Sequence, residues 1–344
     1  MFSTGAPMTR MTAATITRYE LPPAVTIAEV PVPEPADDQV LIAVEAASLN
    51  ALDWHLFTGT PRFLRLVEGL RRPKRTIPGA DIAGEVVAVG AEVTDLEVGD
   101  RVFGETAGGG CAPFTLAKPA NLARIPDGVS AADAAATPVA GLTALQGLVT
   151  HGGLVAGERL LINGAAGGVG TFTVQLAVAL GAEVTAVCST RNVAMVSALG
   201  ERSTRPFKVV DYTADDVIAM SLGQNTPFDL IFDNVGNRSP AEMRSILTPE
   251  GRYLPITGPK SDTGIFGPAI HIARSFAHFA FKPQTCRNFT AAPNRADLET
   301  LAGHLADGSL VPQIHETIKL DGVADALALI GTGHTPAKIL VKPD

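Results

Sequence analysis

At 344 residues, 46% of them hydrophobic and 18% charged, the chain has the composition of an ordinary globular enzyme with room for two domains. Its net charge of −8 argues against a nucleic-acid partner, which needs a basic face. Three scattered cysteines, Cys111, Cys188 and Cys286, exclude a disulfide framework and suit a reducing compartment.

No pair of cysteines shows metal-ligand spacing, and none has a histidine at such a distance. The longest apolar stretch, 265–281, is interrupted by His271, Arg274 and His278, so no membrane-spanning segment and no membrane partner is expected. The N-terminus lacks the apolar core of a secretory signal, and a cytoplasmic location is expected; Arg10 and Arg18, with no acid before Glu20, leave a transit peptide as the alternative reading.

From about residue 13 to 134 the chain reads as β-rich and turn-rich. Strands are predicted at 40–44 and 85–89, with Gly79, Gly84, Gly90, Gly99 and Gly104 as punctuation. No repeating helical pattern is visible, which predicts a barrel-like β domain. The basic run Arg71, Arg72, Lys74 and Arg75, with Arg62 and Arg65 upstream, reads first as a solvated loop and second as a mouth for anionic substrates.

From about residue 135 the texture changes to helices alternating with short buried strands. Strands are predicted at 159–163, 183–187, 208–211, 229–233, 251–256 and 287–291, which suggests an α/β doubly wound parallel sheet. After residue 294 come a helix, a strand at 317–320, a short helix and a strand at 337–341 that returns to the first domain. The expected domains are therefore 1–134, completed by 295–344, and a dinucleotide-binding domain at 135–294.

The most informative stretch is the apolar run 159–163 leading into Gly164-Ala165-Ala166-Gly167-Gly168-Val169-Gly170. A glycine turn that opens a helix offers backbone N–H groups and a positive helix end to a diphosphate. In the fingerprint G-x-G-x-x-G, Ala165 holds the first position, and Gly167 and Gly170 hold the others. Helical spacing of Phe172, Leu176, Ala177 and Leu180, then the apolar run 183–188, completes a βαβ unit. About 20 residues past the fingerprint, NAD-binding chains place an acid on the ribose. Here Ser189-Thr190-Arg191 stands instead, and a hydroxyl with a guanidinium favours the 2′-phosphate of NADPH.

Three further blocks carry a resemblance: Pro78-Gly79-Ala80-Asp81-Ile82-Ala83-Gly84-Glu85, Gly99-Asp100-Arg101-Val102 and Ala140-Gly141-Leu142-Thr143-Ala144. With the glycine turn, they make the chain resemble the zinc-independent branch of the medium-chain dehydrogenase/reductase superfamily, close to quinone oxidoreductases. The likeness runs from about residue 13 onward and implies a GroES-like catalytic domain beside the Rossmann domain. One departure is Val178, where the family signature usually ends in a basic residue or Ser.

Zinc-dependent relatives take a metal ligand from a Cys early in the active-site segment and a His in a Gly-His-Glu block. The corresponding stretches here are Ser48-Leu49-Asn50-Ala51-Leu52-Asp53-Trp54-His55 and Gly79-Ala80-Asp81, so no metal is expected. His55 alone reads as a packing or substrate-facing residue. The resemblance makes Asn50 the catalytic residue, its amide donating to the substrate carbonyl. It also places Thr143 on a linker helix beside the nicotinamide and Tyr212 near the adenosine 2′-phosphate. Around the cofactor, Ala166, Gly167, Gly168, Val169 and Gly170 face the diphosphate, and Ser189 and Arg191 the 2′-phosphate. Asn234, Val235, Gly236 and Thr257 close strands at the nucleotide edge. The stretch 201–208 is longer than in the family, and its basic residues either add phosphate contacts or lengthen a surface loop.

Without a Lewis acid, the expected acceptors are those that take hydride readily: quinones and α,β-unsaturated carbonyls. The proton-donating Tyr of some enoyl-thioester reductases is missing from Thr58-Gly59-Thr60-Pro61. The alternatives are a dedicated biosynthetic enoyl reductase and a non-catalytic NADPH-binding redox sensor. Relatives often form homodimers through the nucleotide-domain sheet, and the residues themselves do not decide this.

Overall fold

The structure is a computed structural model and describes residues 9–256, 273 and 275–343. Arg10–Thr15 (β1) and Thr26–Pro31 (β2) form an antiparallel ribbon at its start. Val40–Leu49 (β3) then forms the spine of a larger sheet, with Val40, Ile42, Ala46, Ala47 and Leu49 buried. Asp81–Val89 (β4) lies antiparallel on it, followed by Arg101–Glu105 (β5), Phe114–Ala117 (β6) and Leu122–Arg124 (β7). Behind the sheet, Ile42, Ile82, Val86, Val102 and Phe57 share one apolar core.

Two short helices interrupt the half that shows no repeating helical pattern in its sequence, Ala51–Thr58 (α1) and Arg65–Glu68 (α2). Each is too short for a 3.6-residue period to stand out from the sequence. Helix α1 stays in place by burying Asp53, Phe57 and Thr58. Ala131–Ala136 (α3) and Pro138–Leu145 (α4) then lead into the second sheet.

That sheet is assembled from Arg159–Asn163 (β8), Glu183–Cys188 (β9), Phe207–Asp211 (β10), Phe228–Asp233 (β11), Leu247–Pro255 (β12) and Thr285–Cys286 (β13). Their spatial order is β10-β9-β8-β11-β12-β13, all parallel. This is the doubly wound dinucleotide order, which reverses between β8 and β11. Gly168–Ala179 (α5), Val193–Leu199 (α6), Val217–Gln224 (α7) and Pro240–Ser245 (α8) connect the strands.

The strand expected at 287–291 is the two-residue β13 instead, paired with Arg252 and Tyr253. Beyond it, side chains hold the segment: Arg287 donates to the His151 carbonyl (3.0 Å), and Phe289 stacks on the His151 ring.

The remaining elements are Arg295–Ala306 (α9), Ile314–Ile318 (β14), Val323–Thr332 (α10) and Lys338–Val341 (β15). The strand expected at 317–320 starts three residues earlier, because β14 pairs in parallel with β15 from Ile314 onward. Strand β15 also pairs antiparallel with β3, so the C-terminus completes the first sheet. One residue before β15, Ala337 donates its N–H to the Ala166 carbonyl (2.9 Å). Strand β15 is therefore a seam between the first sheet and the glycine turn.

Candidate active site

Strand β3 ends at Leu49, and the chain turns at Asn50 into α1. The Asp53 carboxylate fixes this turn, accepting the backbone N–H of Asn50 and that of Gly79, each at 2.8 Å. Asp53 is sealed from solvent, and burial pushes its pKa up to about 6, with the Asp81 charge adding to the shift. The two N–H bonds pull the other way.

Asp81 opens β4 and is fully buried. One of its oxygens accepts from Ser48 Oγ (2.8 Å), Asn50 Nδ2 (2.9 Å) and Lys338 Nζ (3.1 Å). The other accepts the Val139 N–H of α4 (2.9 Å). Lys338, only 2% exposed, also donates to the Asn50 side-chain carbonyl. An ammonium has three donors. The third of Lys338 has no acceptor among the described residues. Asn50 likewise keeps one amide N–H beyond the bond to Asp81.

Glu105 faces Asp81 directly across β4 and β5. Burial, then the charges of Asp81 and Asp53, push its pKa up to about 8 against the pull of Arg75 and Lys338. The site is thus a buried polar cluster in which Lys338 pairs with Asp81 and acts on Asp53 and Glu105 through its charge alone.

Asn50 was named from the sequence, whereas Lys338, Asp81 and Ser48 were missed as site residues. A lysine opening the run Lys-Ile-Leu-Val was a signal, since β15 is buried throughout. His55 is taken up in packing, its Nδ1 at 2.7 Å from the Thr60 carbonyl and its ring edge-on to Trp54.

The nucleotide edge lies on the other side of the seam. Gly164 (φ 81°) makes the sharp turn, and a Cβ on Gly170 would sit 2.1 Å from the Gly164 carbonyl oxygen, so α5 packs this closely only with glycine there. Gly167 caps α5 without a side chain, leaving its first-turn amides for an anion. Ala165, at the first fingerprint position, ties the turn to β9 through its N–H to the Val187 carbonyl (2.9 Å). At the end of β11, buried Asp233 accepts from Asn163 Nδ2 (2.8 Å), Tyr253 Oη (2.8 Å) and the N–H groups of Val235 (3.0 Å) and Gly236 (2.9 Å). That carboxylate shapes the loop Asn234-Val235-Gly236.

Thr143, half-way along α4, bonds back to the Val139 carbonyl (2.7 Å), so the residue beside it in space is one that grips Asp81. Ser189, Thr190, Arg191, Tyr212 and His334 line one cleft of about 310 Å³. There Arg191 donates to the His334 carbonyl (2.8 Å). Asp211, at the end of β10, is taken up by the backbone N–H (2.9 Å) and hydroxyl (2.8 Å) of Thr213. A second cleft of about 230 Å³ lies along Asn163, Tyr212, Asn237 and Arg238. Of the basic residues in the 201–208 stretch, Arg202 donates to the Gly308 carbonyl and not toward the cleft. Thr257 lies outside the described residues.

Residues 36–145 match the alcohol dehydrogenase GroES-like domain, and residues 207–341 match the zinc-binding dehydrogenase family. A chloroplast envelope quinone oxidoreductase homolog of Arabidopsis thaliana is 32% identical over 92% of this chain and 93% of its own length. The chain belongs to the medium-chain dehydrogenase/reductase superfamily. A trans-enoyl reductase of Aspergillus terreus is 33% identical over 91% of this chain and 90% of its own. The solved quinone oxidoreductase of Coxiella burnetii superposes with a TM-score of 0.82 at 28% identity, covering 97% of this chain and 99% of that one. Membership makes the chain an oxidoreductase that uses a nicotinamide cofactor.

The zinc of some family members does not fit the residues present. The two stretches that carry its ligands in such relatives supply Asn50 and Asp81 here, and the Lys338 ammonium already bridges them. A divalent cation would meet a positive charge there. Among the described residues, no group of three or more His, Cys, Asp or Glu is arranged to hold a metal.

Proposed function

We propose that the chain is an NADPH-dependent, zinc-independent reductase that passes hydride to a quinone or an α,β-unsaturated carbonyl. The observation that carries this reading is the Lys338–Asn50–Asp81 cluster, a fixed cation and an amide where zinc-dependent relatives bring their ligands.

When bound, the reduced nicotinamide supplies the hydride. The turn 164–170 and α5 would hold its diphosphate, and Ser189, Arg191 and Tyr212 the 2′-phosphate. As the acceptor takes hydride, an electron pair moves onto its carbonyl or quinone oxygen. The unused N–H groups of Lys338 and Asn50 are the donors that stabilise this charge, a contribution of about 3 kcal/mol per donor in a dry site. Asp81 holds both donors in register, and Asp53 holds the loop that bears Asn50. Because all four side chains are buried, water competes little for these bonds.

The test is cofactor consumption by the purified chain with a panel of quinones and enones, using NADPH and NADH in parallel. Turnover should prefer NADPH and survive dialysis against a strong chelator. Tight NADPH binding without turnover on any acceptor would instead support a redox sensor. Loss of activity on chelation, restored by zinc, would overturn the metal-free assignment.

A further inference from the structure

The segment between α1 and β4 is anchored on one side only. Arg65 donates to the carbonyls of Thr58 and Gly59, each at 3.2 Å, and its guanidinium lies 4.4 Å from the centroid of the Tyr19 ring. The Tyr19 hydroxyl donates to the Gly69 carbonyl (2.8 Å), and Arg75 turns toward Glu68 (3.8 Å). These bonds fix the inner side of the segment.

The outer side is different. Phe63 is 41% exposed, Leu66 74% and Leu70 69%. Arg62, Arg71 and Arg72 are exposed beside them, and none is paired with an acid among the described residues. Exposed apolar side chains scattered singly need no explanation, but three in one short segment mark an interaction surface. Arginines without an acidic partner among the described residues, in a chain of net charge −8, give that surface a sign opposite to the rest of the molecule.

We propose that this face docks on an anionic lipid surface, a peripheral contact that the expectation of no membrane partner, drawn from spanning length alone, did not weigh. Leucine and phenylalanine interleaved with arginine suit the boundary between headgroups and acyl chains, where apolar side chains enter and guanidiniums meet phosphates. A nucleic acid would satisfy the arginines but leave Leu66 and Leu70 in water. The docking face borders the buried cluster: Arg65 grips the end of the helix that Asn50 begins, and the charge of Arg75 reaches Glu105. The proposal rests on the surface alone and does not depend on the reductase reading.

Sedimentation of the full chain with lipid vesicles tests it. The protein should pellet with vesicles containing phosphatidylglycerol, stay in solution with pure phosphatidylcholine, and be released at about 0.5 M salt. Each arginine near such a surface is worth about a fivefold change in partition. Arg71→Glu with Arg72→Glu should therefore lower binding at least about twenty-five-fold. Leu66→Asp with Leu70→Asp should abolish binding as well, and both pairs fall on exposed side chains that the fold does not use. No pelleting with anionic vesicles, or unchanged partition of both variants, would overturn the proposal. So would a lipid-free dimer that the Leu66/Leu70 variant dissociates, which would give the face to a second copy of the chain.

Discussion

Lys338 Nζ lies 3.1 Å from Asp81 Oδ2, across 257 positions of sequence, and both side chains are shut off from solvent. A buried pair of this kind adds little stability by itself, because both charges have lost their water. Breaking it is another matter. Lys338→Met should destabilise the chain by about 3–5 kcal/mol in urea unfolding, since Asp81 is left buried without its cation. Asp81→Asn in the same chain should return part of that loss. If the single variant unfolds like the wild type, the pair is not sealed in solution as it is here.

Asn50→Ala should cut turnover about a hundredfold while leaving NADPH binding nearly unchanged. Its amide faces Asp81 and Lys338, whereas the cofactor turn lies on the other side of the seam. Pre-steady-state hydride transfer alongside a fluorescence titration of the cofactor would separate the two effects. An unaltered rate would reduce Asn50 to a structural link between Asp81 and Lys338.

Arg191→Ala should raise the KM for NADPH by about tenfold and leave that for NADH alone. The guanidinium lines the 310 Å³ cleft and is steadied by the His334 carbonyl, so it is poised for a phosphate at little cost in ordering. A wild type that prefers NADH would remove the basis of this expectation and of the NADPH assignment together.

Glu105 and Asp53 make stability depend on pH in an uncommon direction. Both pKa values are raised on folding, Glu105 from 4.5 to about 8 and Asp53 from 3.8 to about 6. The folded state therefore holds protons that the unfolded state has released, and stability falls as pH rises through these values. For Glu105 the contribution is fully present below 4.5 and lost as pH passes about 8. Glu105→Gln cannot ionise, so it should melt close to the wild type at about pH 4.5 but about 2–4 °C higher at pH 9. Calorimetric scans at the two pH values check this; equal melting temperatures at both would mean that solvent reaches Glu105 in the native state.

The nucleotide half was legible because its signals are local. A buried parallel strand is a short apolar run, as in 159–163, and the glycine turn follows it directly. The spatial order of the strands then follows from handedness and connection rules. The active-site cluster was legible only at Asn50, through family likeness. Lys338 gains its meaning from the pairing of β15 with β3, and that pairing joins the last residues of the chain to residues 47–49. Asp81 was visible inside the block 78–85, yet nothing nearby in sequence showed which cation would neutralise it. Short elements failed for a different reason: α1 and β13 are fixed by tertiary contacts, and neither is long enough to carry its own period.

Strand β15 also sets an order on synthesis. A ribosome makes Asp81 well before Lys338, with the whole nucleotide sheet emerging in between. Until β15 emerges, the first sheet lacks the strand that pairs with β3, and Asp81 lacks its lysine. The growing chain therefore cannot close the Lys338–Asp81 cluster until β15 has been made, by which point every strand of the nucleotide sheet has already emerged.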